Sequence, residues 1–390
     1  MTSVPPTRVA RRIATGPLLA AAVVALSVVM LALLLVWPTA RHASAPLRDG
    51  QEQSLVAGSD DDVDDGEKTI TIAGVGDTIL GTVPHLPPDD GAGFFDRVAD
   101  DLTADVVFGN LEGALSTRAD FTKCGEEPGD DAPEGCAYLR MPPHYATLFA
   151  EAGFDVLNIA NNHGHDSGPA GLDDTRRVLD EAGVRLSGVK GEIVELDVDG
   201  VTVAVVGVAA YDLYTNLLDL RAVSALVEAA DRVADVVVFS MHVGAEGTDA
   251  RHVTGQHEEY YGEPRGNTME VAHTAVDAGA DVVFGHGPHV LRGIEYYNGR
   301  LIVHSLGNFA GYGVLDATGA LGRGAIVTVR VTAEGEFVAG SVTATRMVDG
   351  GYPALDPSNG AWSDFNELAD DFGNRGVTVD GDGNLNQPVD

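Results

Sequence analysis

Lysine is nearly absent from this chain: Lys68, Lys123 and Lys190 are the only three in 390 residues. Lysine and arginine together number 24 against 59 acidic residues, for a formal net charge of −35. Nucleic-acid binding requires a basic footprint, so this composition excludes a nucleic-acid partner. Cysteine is scarce too. Cys124 and Cys136 stand in a polar stretch with glycine and proline, and two thiols cannot complete a zinc site alone. Outside the cytosol such a pair reads as a disulfide closing a short loop, which stabilises by on the order of 3 kcal/mol if unstrained. No internal repeat stands out. Apolar residues, at 44%, are enough for a substantial folded core.

Uncharged runs are short except at one place. Pro17–Trp37 holds no charged residue and includes Leu31-Ala32-Leu33-Leu34-Leu35-Val36. That length crosses a hydrocarbon core of roughly 30 Å. Arg8, Arg11 and Arg12 precede it, and the positive-inside rule keeps residues 1–16 cytoplasmic. A cleaved signal peptide ending at Ala43-Ser44-Ala45 is the alternative. Against it, the run exceeds the usual apolar region of about 7–15 residues, and Pro46 would follow the cut. The expectation is an uncleaved, single-pass signal anchor over 17–37, a transmembrane helix in the cell membrane with the main domain extracytoplasmic. Residues 38–67 read as an acidic, disordered linker carrying Asp60-Asp61-Asp62-Val63-Asp64-Asp65. The run lacks the glycine and closing glutamate of an EF-hand loop.

From Lys68 to about residue 350, apolar strand-like runs alternate with helical patterns. Helices are expected at Phe94–Leu102, Pro143–Ala152, Gly171–Ala182, Leu217–Val233 and Thr268–Ala278. Such interleaving argues for a layered α/β body. Asp199-Gly200 and Asn298-Gly299 mark two hairpins, so a mixed sheet or two stacked sheets fits better than a purely parallel order. Residues 351–390 are rich in glycine, asparagine and aspartate. They read as a largely disordered acidic tail, with one short helix at Trp362–Phe372.

Polar motifs close five of the apolar runs. Gly76-Asp77, Gly109-Asn110-Leu111-Glu112, Asn161-Asn162-His163, His242 and Gly285-His286-Gly287-Pro288-His289 each follow a strand-like segment. Ligands in α/β sheets gather at the carboxyl ends of strands. Carboxylates, an amide and imidazoles converging there make a donor set for a divalent metal. Singly, an aspartate after a strand is more often a turn or cap; the joint pattern is hard to explain that way.

With Gly76-Asp77-Thr78-Ile79-Leu80, Asn110-Leu111-Glu112, Asn161-Asn162-His163-Gly164-His165-Asp166, His242-Val243-Gly244-Ala245-Glu246, Gly285-His286-Gly287-Pro288-His289-Val290 and Ser305-Leu306-Gly307-Asn308-Phe309 in this order, residues 68–350 resemble the CapA family of capsule and poly-γ-glutamate biosynthesis proteins. The resemblance implies a calcineurin-like metallophosphatase fold, a four-layer α/β/β/α sandwich. It implies one or two divalent ions; manganese, iron and zinc all suit the donors. By position, Asp77 would bind one metal and Glu112 would lie near it or bridge two. Asn162 and His242 would bind the second with His286 beside it, and His289 would face the first. His163 would be the proton donor, oriented by Asp166, while Glu246 would touch substrate or support the ligands and Asn308 would order the site. Ile79 stands where calcineurin-like phosphoesterases carry the histidine of Asp-x-His, and Glu112 stands in place of an aspartate. The implied role is making, exporting or anchoring an anionic polymer, beside membrane polymer-synthase subunits. Two readings remain open: a metal-dependent hydrolase of phosphoester or amide bonds in the envelope, and a non-catalytic scaffold. An acidic surface repels such a polymer unless metal or arginine reverses the local sign; Arg251, Arg265 and Arg292 are the candidates, each otherwise an ordinary surface residue.

Overall fold

The computed structural model describes residues 68–119 and 137–388. The apolar run 17–37, the linker 38–67 and both cysteines lie outside the described residues. Among the described residues no helix is long and apolar enough to cross a membrane.

In chain order the elements are β1 (Thr69–Ile79), β2 (Val106–Leu111), α1 (Ala146–Glu151), β3 (Val156–Asn158), α2 (Gly168–Ala182) and β4 (Arg185–Ser187). Then follow β5 (Val194–Val198), β6 (Val201–Ala209), β7 (Thr215–Asn216), α3 (Leu220–Asp231), β8 (Val236–His242), β9 (Glu258–Tyr260), β10 (Glu263–Gly266) and α4 (Thr268–Asp277). The last part holds β11 (Val282–His286), β12 (Leu291–Tyr297), β13 (Arg300–Leu306), β14 (Asn308–Gly311), β15 (Arg323–Thr332), β16 (Phe337–Val348), β17 (Tyr352–Leu355), α5 (Gly360–Leu368), β18 (Gly376–Val379) and β19 (Leu385–Asn386). One sheet runs β17-β16-β15-β1-β2-β3-β4 with β14 added to β1. The other runs β19-β18-β12-β13-β11-β8-β6-β5 with β7 added to β6.

Side-chain alternation explains the layering. Val106 and Phe108 face inward and Val107 outward; Val282 and Phe284 face inward and Val283 outward. The inward sets of both sheets form one apolar layer, in which Phe108 stacks on Phe284 at 5.9 Å. Outside the first sheet, Val107 and Leu157 pack with Phe149 of α1 and Leu179 of α2. Outside the second, Val283 and Phe239 pack with Val227 of α3 and Val271 of α4. Strands apolar on both faces are what a sheet covered on both sides requires, and the order of layers is helix, sheet, sheet, helix.

The parallel strands are tied at their starts by aspartates. Asp105 accepts from the Thr71 N–H, Asp155 from Val107, Asp235 from Thr202 and Asp281 from Val237, at 2.7–2.8 Å. Each carboxylate takes a donor of the neighbouring strand that the ladder leaves over. The opposite ends of these strands carry the site.

Two expectations are corrected. Phe94–Leu102 is a series of turns ending in a 3-10 stretch, Ala99–Asp101, with no side-chain cap; so short an uncapped helix is marginal. Residues 351–388 are ordered: β17 pairs with β16 and β18 with β12. Phe365, Leu368, Phe372, Val377 and Val379 are buried, and the Trp362 indole N–H donates to the Val342 carbonyl at 2.8 Å. The glycines and asparagines form the turns between these sparse apolar anchors.

Candidate metal centre

The end of β1 delivers Asp77 beside the last loop. At Gly76 a Cβ would fall 2.1 Å from the Gly307 carbonyl oxygen, so only glycine lets the backbones approach. Asp77 N–H then donates to that same carbonyl at 2.9 Å. In the sheet, Asp77 sits opposite Asn110 of β2 and Asn308 of β14.

Asp77, Glu112 and His289 come together, with one ligand-type atom of each within 4.8 Å of the others. His289 Nδ1 lies 3.1 Å from Asp77 and its Nε2 lies 3.5 Å from Glu112 and 3.7 Å from Glu246. Asp77 Oδ1 accepts from Asn110 Nδ2 at 2.8 Å, and Oδ2 from the Gly287 N–H at 3.3 Å. Burial would raise the Asp77 pKa, but the hydrogen bond and charge of His289, with His286 and His242, hold it well below the ordinary range. Burial drives Glu112 the other way, well above it, reinforced by the charge of Asp77. His289 is held well above the usual imidazole value: burial opposes this, and the charges of Glu112 and Asp77 outweigh it.

Both Glu112 oxygens are buried without a hydrogen-bond partner, as are both ring nitrogens of His242. Buried polar atoms are normally satisfied, and an unpaired buried carboxylate is costly. A divalent cation supplies what the carboxylates lack, and oxygen with neutral imidazole nitrogen is a suitable donor set. Burial pushes His242 well below its usual pKa, so it stands neutral, the form that ligates. His242 sits opposite His286 in the sheet, outside the group of three.

The other expected residues distribute unevenly. His286 is fully buried. Its Nε2 lies 3.0 Å from the Val75 carbonyl oxygen and its Nδ1 3.4 Å from the Ser240 hydroxyl, so the ring ties the two sheets together and is not presented as a ligand. Asn162 is half-buried. The Asn162 Oδ1 is buried, and its neighbour Asn161 joins the buried amide network, donating to Asn110 Oδ1 at 3.1 Å and to the Leu111 carbonyl at 2.9 Å. His163 Nδ1 lies 2.7 Å from Asp166 Oδ2, and that carboxylate also accepts the Leu139 N–H at 2.7 Å. Asn308 Oδ1 lies 2.9 Å from His289 Nδ1, and Glu246 accepts from Arg265 Nη1 at 3.0 Å.

The arginines are not the surface residues expected. Arg292 is fully buried and clamps Glu258 at 2.6 and 2.9 Å, and Arg251 pairs with Asp364 at 2.9 Å. Arg265, nearly buried, is the one beside Glu246. Sequence reasoning also passed over Asn110 and Asn158. Asn158 donates to Asn110, which donates to Asp77, so a chain of amides fixes the first carboxylate. The available signal was an asparagine inside an apolar strand, where burial demands a partner.

A family model described as "Bacterial capsule synthesis protein PGA_cap" matches residues 71–312. The chain is 31% identical over 255 residues to the "PGA biosynthesis protein CapA" of Bacillus subtilis, covering 60% of this chain and 61% of that protein. It thus spans about three fifths of that relative. It is 28% identical over 316 residues to the "Capsule biosynthesis protein CapA" of Bacillus anthracis, covering 73% of this chain and 67% of the other. Among solved structures it is similar to a 5'-nucleotidase precursor from Thermus thermophilus at 14% identity and a TM-score of 0.41, over 77% of this chain and 58% of that one. That likeness is too distant to bear on chemistry.

Proposed function

This chain belongs to the bacterial capsule synthesis protein PGA_cap family, and on that premise we propose that it serves in making, exporting or anchoring a capsular polymer of the poly-γ-glutamate kind, through a divalent metal held by Asp77, Glu112 and His289. One observation supports the metal above the others: a fully buried Glu112 whose two oxygens have no hydrogen-bond partner, beside Asp77 and His289. Asp77, Glu112 and His289 would hold the ion, which when bound would supply Lewis-acid polarisation of an amide or phosphoryl oxygen and activation of water. It would also offset the local negative charge in a chain carrying a net charge of −35, which otherwise repels an anionic polymer. The apolar run 17–37 is the proposed membrane anchor, with the sandwich on the outer side.

The His163–Asp166 pair favours a hydrolase as the second reading. A carboxylate on Nδ1 fixes the ring tautomer and makes Nε2 the atom that exchanges a proton, as protonation of a leaving group requires.

Glu112→Gln tests the metal reading by what metal adds. In chelator-treated full-length protein the substitution should change the thermal midpoint little, because burial and the charge of Asp77 already favour the neutral form of Glu112. With manganese or zinc added, the wild type should gain stability that the variant does not. If the metal stabilises both equally, Glu112 is not a ligand.

A further inference from the structure

Arg265 forms part of the wall beside the three candidate ligands. It is 5% exposed, with its guanidinium 5.5 Å from the Tyr260 ring centroid and 5.8 Å from that of Tyr211. Its hydrogen bonding is incomplete. Nη1 donates to Glu246 at 3.0 Å, Nη2 reaches the solvent-exposed Glu263 at 3.4 Å, and Nε is buried without a partner. Glu246 bridges outward from this arginine, its second oxygen standing 3.7 Å from His289 Nε2. The loop that carries Glu246 is fixed on several sides. Ala245 N–H donates to Glu258 at 2.8 Å, Gly244 N–H to the Arg265 carbonyl at 3.0 Å and Gly247 N–H to the Pro288 carbonyl at 2.9 Å.

A rigid loop therefore places a third carboxylate between an under-used arginine and a site that already holds Asp77 and Glu112. Glu246 occupies the place beside Arg265 that an anionic ligand of the centre would take. Such a ligand cannot sit between Arg265 and His289 while Glu246 does, because like charges at that spacing repel strongly away from bulk water. We propose that Arg265 is the receptor for a carboxylate of the ligand, and that Glu246 is an internal stand-in which that carboxylate displaces.

The loop backbone stays fixed and the Glu246 side chain rotates out to solvent as the ligand carboxylate takes its place, so one planar monoanion replaces another beside Arg265. Glu246 engages a single nitrogen of a fork that suits bidentate carboxylates; a ligand that uses two gains on it. A phosphate dianion would instead add charge beside Asp77 and Glu112, which disfavours it. The tyrosines confine the guanidinium plane by cation–π contact and leave its edge for bonding. Glu246 thereby sets selectivity, since only ligands that outcompete it for Arg265 reach the centre. This rests on the reading of the site as one that receives a carboxylate-bearing polymer.

The test is calorimetric titration of detergent-purified full-length protein, loaded with manganese, using a γ-linked glutamate trimer and, separately, inorganic phosphate. Removing the competitor in Glu246→Gln should tighten trimer binding by about tenfold, a difference of about 1.4 kcal/mol, and leave phosphate weak. Arg265→Gln should abolish trimer binding. Arg265→Lys, which keeps the charge and loses the fork, should weaken it and carries the test if the glutamine variant does not fold. The proposal is overturned if Glu246→Gln binds the trimer no more tightly than wild type, if phosphate gains more than the trimer, or if no form binds the trimer. Metal content measured on the same samples separates the two claims. Manganese retained without tightening removes this inference alone, and tightening without manganese removes the metal reading alone.

Discussion

Asn308 holds His289 by its inner nitrogen: Oδ1 lies 2.9 Å from His289 Nδ1, while the Asn308 Nδ2 donates to the Leu321 carbonyl at 3.0 Å. The Leu321 bond fixes which end of the amide faces the ring. Nδ1 therefore carries a hydrogen towards Asn308, which leaves Nε2, on the side of Glu112 and Glu246, as the nitrogen that would give up its proton to a metal. His289 itself takes a left-handed backbone, φ 60°, to reach this position. A partner that orients a metal-ligating imidazole contributes about 10–100-fold in affinity. Asn308→Ala should weaken manganese or zinc binding by about that factor with the fold retained. Competition against a chromogenic chelator measures it, and an unchanged affinity removes Asn308 from the site.

Asn110 supports Asp77 in the same way from the other strand, donating at 2.8 Å while accepting from Asn158 and Asn161. Replacing it with leucine leaves these buried amides unpaired, at a cost of about 1–3 kcal/mol each. Asn110→Leu is expected to lower both the denaturant midpoint and metal affinity. Loss of stability with affinity intact would mean that the amide chain braces the strands and not the carboxylate.

A second buried cluster governs acid stability. Glu295 is fully buried and lies 3.0 Å from His273, 2.9 Å from His304 and 2.7 Å from Arg375. Burial raises its pKa, but the hydrogen bonds from His273 and His304 win and bring it down to about 2. A depressed carboxylate contributes stability above its unfolded value of about 4.5 and loses it as pH falls from there towards 2. Burial also lowers His304, which opposes its protonation and adds to the loss on acidification. Glu295→Gln should cost about 3–5 kcal/mol at neutral pH, the penalty for breaking a buried ion pair. It should also flatten the fall in thermal midpoint below pH 4.5. An equally steep acid transition in the variant would place that transition elsewhere.

The membrane assignment has a separate check. Full-length protein should stay with membranes through carbonate washing, and a chain starting at residue 38 should not. Release of both would contradict an anchor at 17–37.

Much of this was legible in the sequence because it depended on local alternation. Val106-Val107-Phe108 and Val282-Val283-Phe284 spell strands covered on both faces, and Asn298-Gly299 marks the hairpin between β12 and β13. The types of residue at the centre were also legible, since strand ends carried them. Orientation was not. His286 and His289 share one motif, yet only His289 faces the carboxylates, because the Val75 carbonyl lies 3.0 Å from His286 in the partner sheet. Asn161 and Asn162 are adjacent, and the bond that Asn161 makes is to Asn110, a residue 51 positions away from it. The last 40 residues read as disordered because Trp362, Phe365, Leu368 and Phe372 are diluted among turn formers. Their order comes from a sheet the sequence does not display.

The assignment at the centre is tested most directly by anomalous diffraction from crystals of the protein grown with manganese. A single strong peak is expected between the Asp77 and Glu112 carboxylates and His289 Nε2, lost in Glu112→Gln. Manganese-loaded crystals with no peak there, or with a peak that survives that substitution unchanged, would contradict it.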